Sequence, residues 1–470
     1  MSPIARRGAV LAVLTIVLLV AGAAGAAAHP LGNFTVNTYS GLRVGPDRLA
    51  VDHVVDMAEI PTFQTRQAID ADHDDRLADA EAGRWRDREC RRLAAGIHIV
   101  VDGRTARLAV TGSALSFPGG VGGLPTLRLE CALAAPLPVA GRALTYTDGT
   151  YQGRVGWREI TAVGDRVTLD TTDVPSTSPS ARLTRYPEDQ LSSPLTRRSA
   201  TLHYHPGGPR APTQERAAGG LARGGVDRAT AAFAALVGER SGLAGFALVA
   251  LVVAVGLGAA HALAPGHGKT VMAAYLVGLR GSLRQAATIG ATVTLTHTAG
   301  VLLLGLVLST TRAVASERVY PWLGLGSGLL LTGVGVGLLL RARPGRRHHA
   351  HAHDHHGHGE PPLGRRGLVA LGLAGGLVPS PSAVVVLLAG IALGRAWFGL
   401  ALVLAYGLGM AATLTGIGLL LARLRARIDR RLQVPAGSPL ARLGRLLPAV
   451  TASVIVLVGL GLALQGAARL

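Results

Sequence analysis

The sequence predicts an extracytoplasmic, mainly-β domain of sandwich type, followed by a polytopic α-helical membrane domain of six spans. Three observations predict this fold class. The first residues form an export signal, residues 29–205 alternate apolar and polar positions in short runs, and residues 241–470 hold six long apolar runs. Two of those runs are broken at proline in matching positions. The membrane domain therefore reads as 3+3 inverted repeats with proline-broken helices.

The chain opens with Arg6 and Arg7, continues with the apolar AVLAVLTIVLLV, and passes into AGAAGAAA ending at Ala28. A charged start, an apolar middle and a small-residue end make residues 1–28 a secretory signal peptide. An uncleaved anchor is the alternative, and it leaves the topology unchanged. The chain has two cysteines, Cys90 and Cys131, both in the part that follows the signal. An exported domain meets an oxidising compartment, so a disulfide between them is expected.

Strands are expected where polarity alternates with period two, in RLAVDHVVDM, GIHIVV, TARLAV, TLRLECAL and RVTLDTT. Turn residues separate these runs, as in a β-sandwich. A helix is expected to interrupt them between Pro61 and Leu93. Inside that stretch DADHDDRLADAE, residues 70–81, follows the spacing of an EF-hand calcium loop. Asp70, Asp72 and Asp74 take positions 1, 3 and 5, Leu77 takes the apolar position and Glu81 takes position 12. Asp75 stands where a glycine usually makes the sharp turn, which leaves a solvated acidic loop as the other reading. Residues 206–240 open with a stretch rich in Gly, Pro, Ala and Arg and read as a linker.

The six spans are expected at about 243–280, 285–308, 319–341, 367–392, 397–421 and 444–466, the first being too long for one crossing and broken at Pro265-Gly266. Alternate loops carry Arg280 and Arg284, then six arginines between 341 and 366, then seven between 423 and 445. The opposite loops hold only Arg312, Arg318 and Arg395. The arginine-rich set belongs in the cytoplasm, which leaves the 29–240 region outside and agrees with the signal. The net charge of +19 therefore reflects membrane orientation, and no nucleic-acid partner is expected. Within the apolar half, GLGAAHALAPGHGKTVMAAYLVGLRG parallels LGLAGGLVPSPSAVVVLLAGIALGR, with Pro265 matching Pro379. Three spans per half is an odd number, so the halves must be inverted. Many secondary transporters place a site at the membrane midplane in this way.

HALAPGHGKT, residues 261–270, resembles a phosphate loop, but Leu263 stands where the opening glycine belongs and the run before it has the length of a membrane helix. No nucleophile–base constellation supports an enzyme. Beyond residue 240 the acidic residues are Glu317, Asp354, Glu360 and Asp429, all expected outside the spans. His261, His267, Lys269 and His297 are then the ionisable groups at membrane depth, where such groups are costly and usually functional. A single histidine of this kind could serve helix packing. Three of them, with hydroxyls at Thr270, Thr294, Thr296 and Thr298 and carbonyls freed by the break, suit Ni(II), Co(II), Cu(II) or Zn(II). Lys269 is the chain's one lysine. It either fixes the broken helix, repels a bound cation to help release it, or snorkels to the interface. The cytoplasmic loop 341–366 adds His348, His349, His351, His353, His355, His356 and His358, a tract of the kind that gathers transition metals.

GAAHALAPGHGKTVMAAYLVGLRGSLRQA, the THT around His297, the histidine tract and GGLVPSPSAVVVLL follow one another over roughly 245–466. In these motifs and their order the chain resembles the NicO family of nickel/cobalt exporters. The resemblance implies Ni(II) or Co(II) as cargo across the cytoplasmic membrane, with His261, His267 and His297 as pathway residues and no tightly bound cofactor. Relatives often carry an acidic residue where Ala264 stands and a cysteine where Ser380 stands. Thiol–electron carriers of the wider superfamily need paired membrane cysteines, which this chain lacks. A membrane-anchored metal sensor or chaperone is the competing class, and it has no use for a midplane site. With no phosphate loop and no carboxylate in a span, coupling is expected to run through protons on histidine.

Overall fold

The computed structural model describes residues 31–74, 76–120, 124–138, 142–191, 193–211, 244–263, 283–310, 316–342, 364–392, 395–431 and 439–468. The chain divides into two compact units, which meet in sequence at Glu239 and Arg240.

The first unit is built from ten strands: β1 (Val36–Val44), β2 (Arg48–Met57), β3 (Ile97–Val101), β4 (Arg104–Ala106), β5 (Ala109–Ser116), β6 (Leu127–Pro136), β7 (Ala143–Asp148), β8 (Arg158–Gly164), β9 (Val167–Thr172) and β10 (Ser199–Pro206). They form two five-stranded sheets, β5-β6-β2-β1-β8 and β4-β3-β7-β10-β9. β1 and β2 pair antiparallel from Val36↔Met57 to Val44↔Leu49, while β1 and β8 run parallel. Period-two alternation turns Leu42, Val51, Leu129 and Leu133 of one sheet and Ile99, Leu144 and Leu202 of the other into one shared core. The stretch TARLAV is not one strand. β4 pairs with β3, β5 pairs with β6, and Arg107 and Leu108 carry the chain from one sheet to the other.

A chain of buried polar groups ties the sheets together. The Tyr146 hydroxyl donates to Ser40 Oγ at 2.8 Å, and Ser40 Oγ lies 3.0 Å from His53 Nδ1. Burial lowers the pKa of His53 and keeps it neutral. Trp157 is fully buried beside Tyr39, Val54, Leu183 and Tyr186, and its indole N–H donates to Glu159 at 2.7 Å.

The helix expected between Pro61 and Leu93 is two helices, α1 (Glu59–Ile69) and α2 (Asp79–Gly96). The acidic segment between them breaks the helical path, with His73 at a φ of 61°. Pro61 is tolerated because it stands in the first turn, where its missing N–H has no helical partner. Cys90 of α2 and Cys131 of β6 are joined by a disulfide across a Cα separation of 5.7 Å.

The second unit is helical: α3 (Ala244–Leu263), α4 (Leu283–Thr310), α5 (Ser316–Ala342), α6 (Arg365–Gly376), α7 (Pro381–Ala392), α8 (Ala396–Arg431) and α9 (Pro439–Ala467). Among the described residues, four stretches are long and apolar enough to cross a membrane: Arg284–Thr310, Val319–Arg341, Ala396–Leu420 and Ala449–Ala467. α6 and α7 form a fifth candidate, bent by 68° between Gly376 and Pro381. The bend falls at Pro379, where the sequence puts a break. α3 holds a shorter apolar helix, Ala250–Leu263, and residues 264–282 of the first expected run lie outside the described residues.

α4 packs against α6, α7 and α8, and α8 packs against α3 and α7 as well, so α4 and α8 form the middle of this arrangement. α5 and α9 lie along each other, with α6 beside α5. The α3–α8 crossing is close enough to need glycine on both sides. A Cβ on Gly258 would collide with the Tyr406 carbonyl, and one on Gly409 would collide with the Val255 carbonyl. Between apolar helices in lipid the hydrophobic effect adds little, and such small-residue contact supplies the packing.

Candidate functional site

His261 lies in the last turn of α3, and His297 lies in the middle of α4. The fold brings the two rings together, with centroids 5.7 Å apart and planes tilted by 39°. Tyr406 of α8 closes the group, its ring 5.8 Å from that of His261. The glycine contacts between α3 and α8 fix this spacing, because the backbones bearing His261 and Tyr406 touch at Gly258.

His297 is nearly fully buried and engages the α6–α7 break. The Ser380 backbone N–H donates to His297 Nε2 at 3.2 Å, and the Ser380 hydroxyl lies 3.1 Å from the same nitrogen. A backbone amide can only donate, so Nε2 carries its lone pair and the ring's proton sits on Nδ1. Helix bending frees this amide from the usual ladder, and His297 satisfies it. A second freed group, the Pro379 carbonyl, accepts from the Tyr320 hydroxyl of α5 at 3.1 Å. Ser327 of α5 also donates to the Ala374 carbonyl at 2.6 Å, which holds α6 in place.

The threonines near His297 differ in their roles. The Thr292 and Thr296 hydroxyls donate back to the carbonyls of Thr288 and Thr292, each at 2.8 Å, so Thr296 is occupied within its own helix. Thr294 Oγ1 is buried and meets no partner among the described residues. It stands three residues before His297, on the same face of α4. Thr298 Oγ1 faces Gly407 of α8. His267, Lys269 and Thr270 lie outside the described residues, as do His348, His349, His351, His353, His355, His356 and His358.

Ser380, Tyr320 and Tyr406 escaped the reading of the sequence as members of this group. The available signal was a tyrosine inside an apolar run, ALVLAYGLGM, next to a glycine.

In the β-rich unit, Asp70, Asp72 and Asp74 bring carboxylate oxygens within 4.8 Å of one another. Loss of hydration and the adjoining Asp74 and Glu81 carboxylates push the Asp72 pKa up, against the lowering effect of the Asp74 N–H. Glu81 folds back over the loop. Its carboxylate accepts from the Ala71 N–H at 2.7 Å and from the Ala78 N–H at 3.3 Å, which caps α2.

Comparison with known proteins places the membrane half. The model for the cytochrome c biogenesis protein transmembrane region matches residues 286–446. A Methanocaldococcus jannaschii protein named as a nickel/cobalt efflux system is 33% identical over 214 residues, covering 45% of this chain and 91% of that protein. The nickel/cobalt efflux system RcnA of Shigella sonnei is 30% identical, over 35% of this chain and 75% of its own length. This chain belongs to the nickel/cobalt transporter family. RcnA of Salmonella arizonae is 46% identical over a shorter stretch, 17% of this chain and 29% of that protein. No solved structure matches the chain. Within the nickel/cobalt transporter family, metal transport is the activity the membrane half has to be read against, and the chain's two cysteines are both consumed by the disulfide of the β-rich unit.

Proposed function

We propose that this protein exports Ni(II) or Co(II) across the cytoplasmic membrane through six spans arranged as 3+3 inverted repeats. The observation that carries the reading is the meeting of His261 and His297 beside the α6–α7 break. Two imidazoles with hydroxyl oxygens nearby make a borderline-soft N/O donor set once the cation displaces the Ser380 N–H from the His297 lone pair, and that set suits these ions better than Mg(II) or Ca(II). His267, Lys269 and Thr270 complete the pathway from the Pro265 break. Protons entering from outside compete for the same imidazole nitrogens and displace the metal outward.

The orientation rests on the arginine-rich loops and on the export signal. Two tryptophans mark a membrane interface, whichever side it faces. Trp322 and Trp397 are 63% and 70% exposed at the starts of the third and fifth of these six spans, so odd–even counting puts both at one membrane face. That is where an aromatic belt belongs. The disulfide supports an oxidising location for the β-rich unit.

The histidine tract then serves as a collector at the cytoplasmic entrance. Deleting 348–358 is expected to raise the half-saturating metal concentration about tenfold while leaving the maximal rate within about twofold, since flexible ligands raise local concentration without forming the site. Flux measured against metal concentration tests this, and an unchanged concentration dependence removes the collector and the main physical support for export.

In the β-rich unit we propose that the loop between α1 and α2 binds Ca(II) through Asp70, Asp72 and Asp74. Helices flank it on both sides, and Glu81 reaches the ion by turning from the Ala71 N–H. Saturating Ca(II) is expected to stabilise this unit by about 2–3 kcal/mol, and the Asp70→Asn/Asp72→Asn pair to remove that gain. Melting curves with Ca(II) and with chelator decide it; coincident curves exclude the site.

A further inference from the structure

Tyr406 is 5% exposed, and its hydroxyl is buried with no hydrogen-bond partner among the described residues. The Ser380 and Ser382 hydroxyls at the α6–α7 break interact with it, but neither completes a hydrogen bond to it. Its ring faces His261, which faces His297, whose Nε2 in turn holds Ser380. Among the described residues of the helical unit, the hydroxyl therefore stands where two imidazoles and a helix break come together.

A buried hydroxyl without a partner is unfavourable, and a phenylalanine would fill the same space without that cost. The ring alone accounts for the packing against His261. Apart from the nearby Ser380 and Ser382 hydroxyls, the oxygen meets no polar group among the described residues, and a buried unsatisfied group commonly marks a missing water or ion. Its position is not adjustable by backbone movement, because the Tyr406 carbonyl abuts Gly258.

We propose that the Tyr406 hydroxyl is an oxygen contact for the hydrated divalent cation as it passes between His261 and His297. The assignment rests on the transport reading given above. A neutral phenol adds an oxygen donor to two nitrogen donors, the mixed set that Ni(II) and Co(II) accept. It adds no fixed negative charge, so it helps the cation to enter without holding it. The site thereby consists of two imidazoles and one phenol drawn from three helices, α3, α4 and α8.

The test uses the full chain in proteoliposomes, with Ni(II) and Co(II) flux measured against metal concentration for the unaltered protein, Tyr406→Phe and His297→Ala. Tyr406→Phe keeps the ring and deletes only the oxygen. It is expected to raise the half-saturating Ni(II) concentration about fivefold to tenfold, with a maximal rate within about twofold. A structural role would lower the maximal rate or the yield of monodisperse protein instead, and that result overturns the contact. If Tyr406→Phe leaves the concentration dependence unchanged while His297→Ala abolishes flux, the Tyr406 assignment fails and the histidine site stands. If His297→Ala transports normally, the site itself is misplaced and the Tyr406 assignment falls with it.

Discussion

His297→Ala is expected to lower Ni(II) and Co(II) flux by about 100-fold or more, with the protein still inserted in the membrane. Two losses add up at this position. The ring has one lone pair, on Nε2, which the cation can take only by displacing the Ser380 N–H, so the variant loses the acceptor of that amide in this state and a nitrogen ligand in the metal-bound state. A buried amide without an acceptor loosens the bend itself, so the variant fails both in binding and in the element that must move. His261→Ala removes a ligand together with the ring contacts to His297 and Tyr406, and should lose flux with a smaller effect on the bend. Flux per inserted protein measures both, with Leu295→Ala as the control: that side chain is on α4 but 72% exposed on the face away from the site. Normal flux in both histidine variants would remove the site.

Replacing Cys90 and Cys131 together by alanine is expected to destabilise the β-rich unit by about 3–4 kcal/mol, the loop-closure term for a bridge spanning 41 positions. Both sulfurs are fully buried in the core, so part of the loss comes from packing. Hydrogen exchange of the β2 and β6 amides in the full chain reports it, because β6 carries Cys131 and pairs with β2 throughout. Equal protection in the two proteins would mean that the bridge contributes nothing to this unit. The helical unit carries no cysteine, and its exchange should not change.

The spans were legible because lipid imposes a simple rule on each residue, independent of partners. The long apolar runs therefore appear as α4, α5, α8 and α9, and Pro379 marks a real bend. β2 was legible for a similar reason, its alternation matching one buried face from Arg48 to Asp52, while from His53 to Met57 both faces are covered. TARLAV misled because alternation reports burial of a face, and it cannot report that Arg107 and Leu108 step from one sheet to the other. The parallel pairing of β1 with β8 joins residues about 120 positions apart, and no local pattern encodes it. The site was half legible. His261 and His297 stand out as polar residues in apolar runs, but the Ser380 amide meets His297 across 83 positions through tertiary contact alone. Tyr406 was hidden because a tyrosine in a helix usually finds a partner for its hydroxyl, and only the packed structure reveals that this one does not.

Under the proposed exchange, metal moves outward as protons move inward, through imidazoles and without nucleotide. The direct measurement loads Ni(II) on the cytoplasmic face of proteoliposomes containing the full chain, imposes a pH gradient with the external side acid, and follows metal flux with no nucleotide present. Exchange requires flux that follows the gradient, slows when an ionophore collapses it and slows further when it is reversed. Flux that ignores the gradient in size and direction would contradict the exchange and leave the histidines lining a passive path.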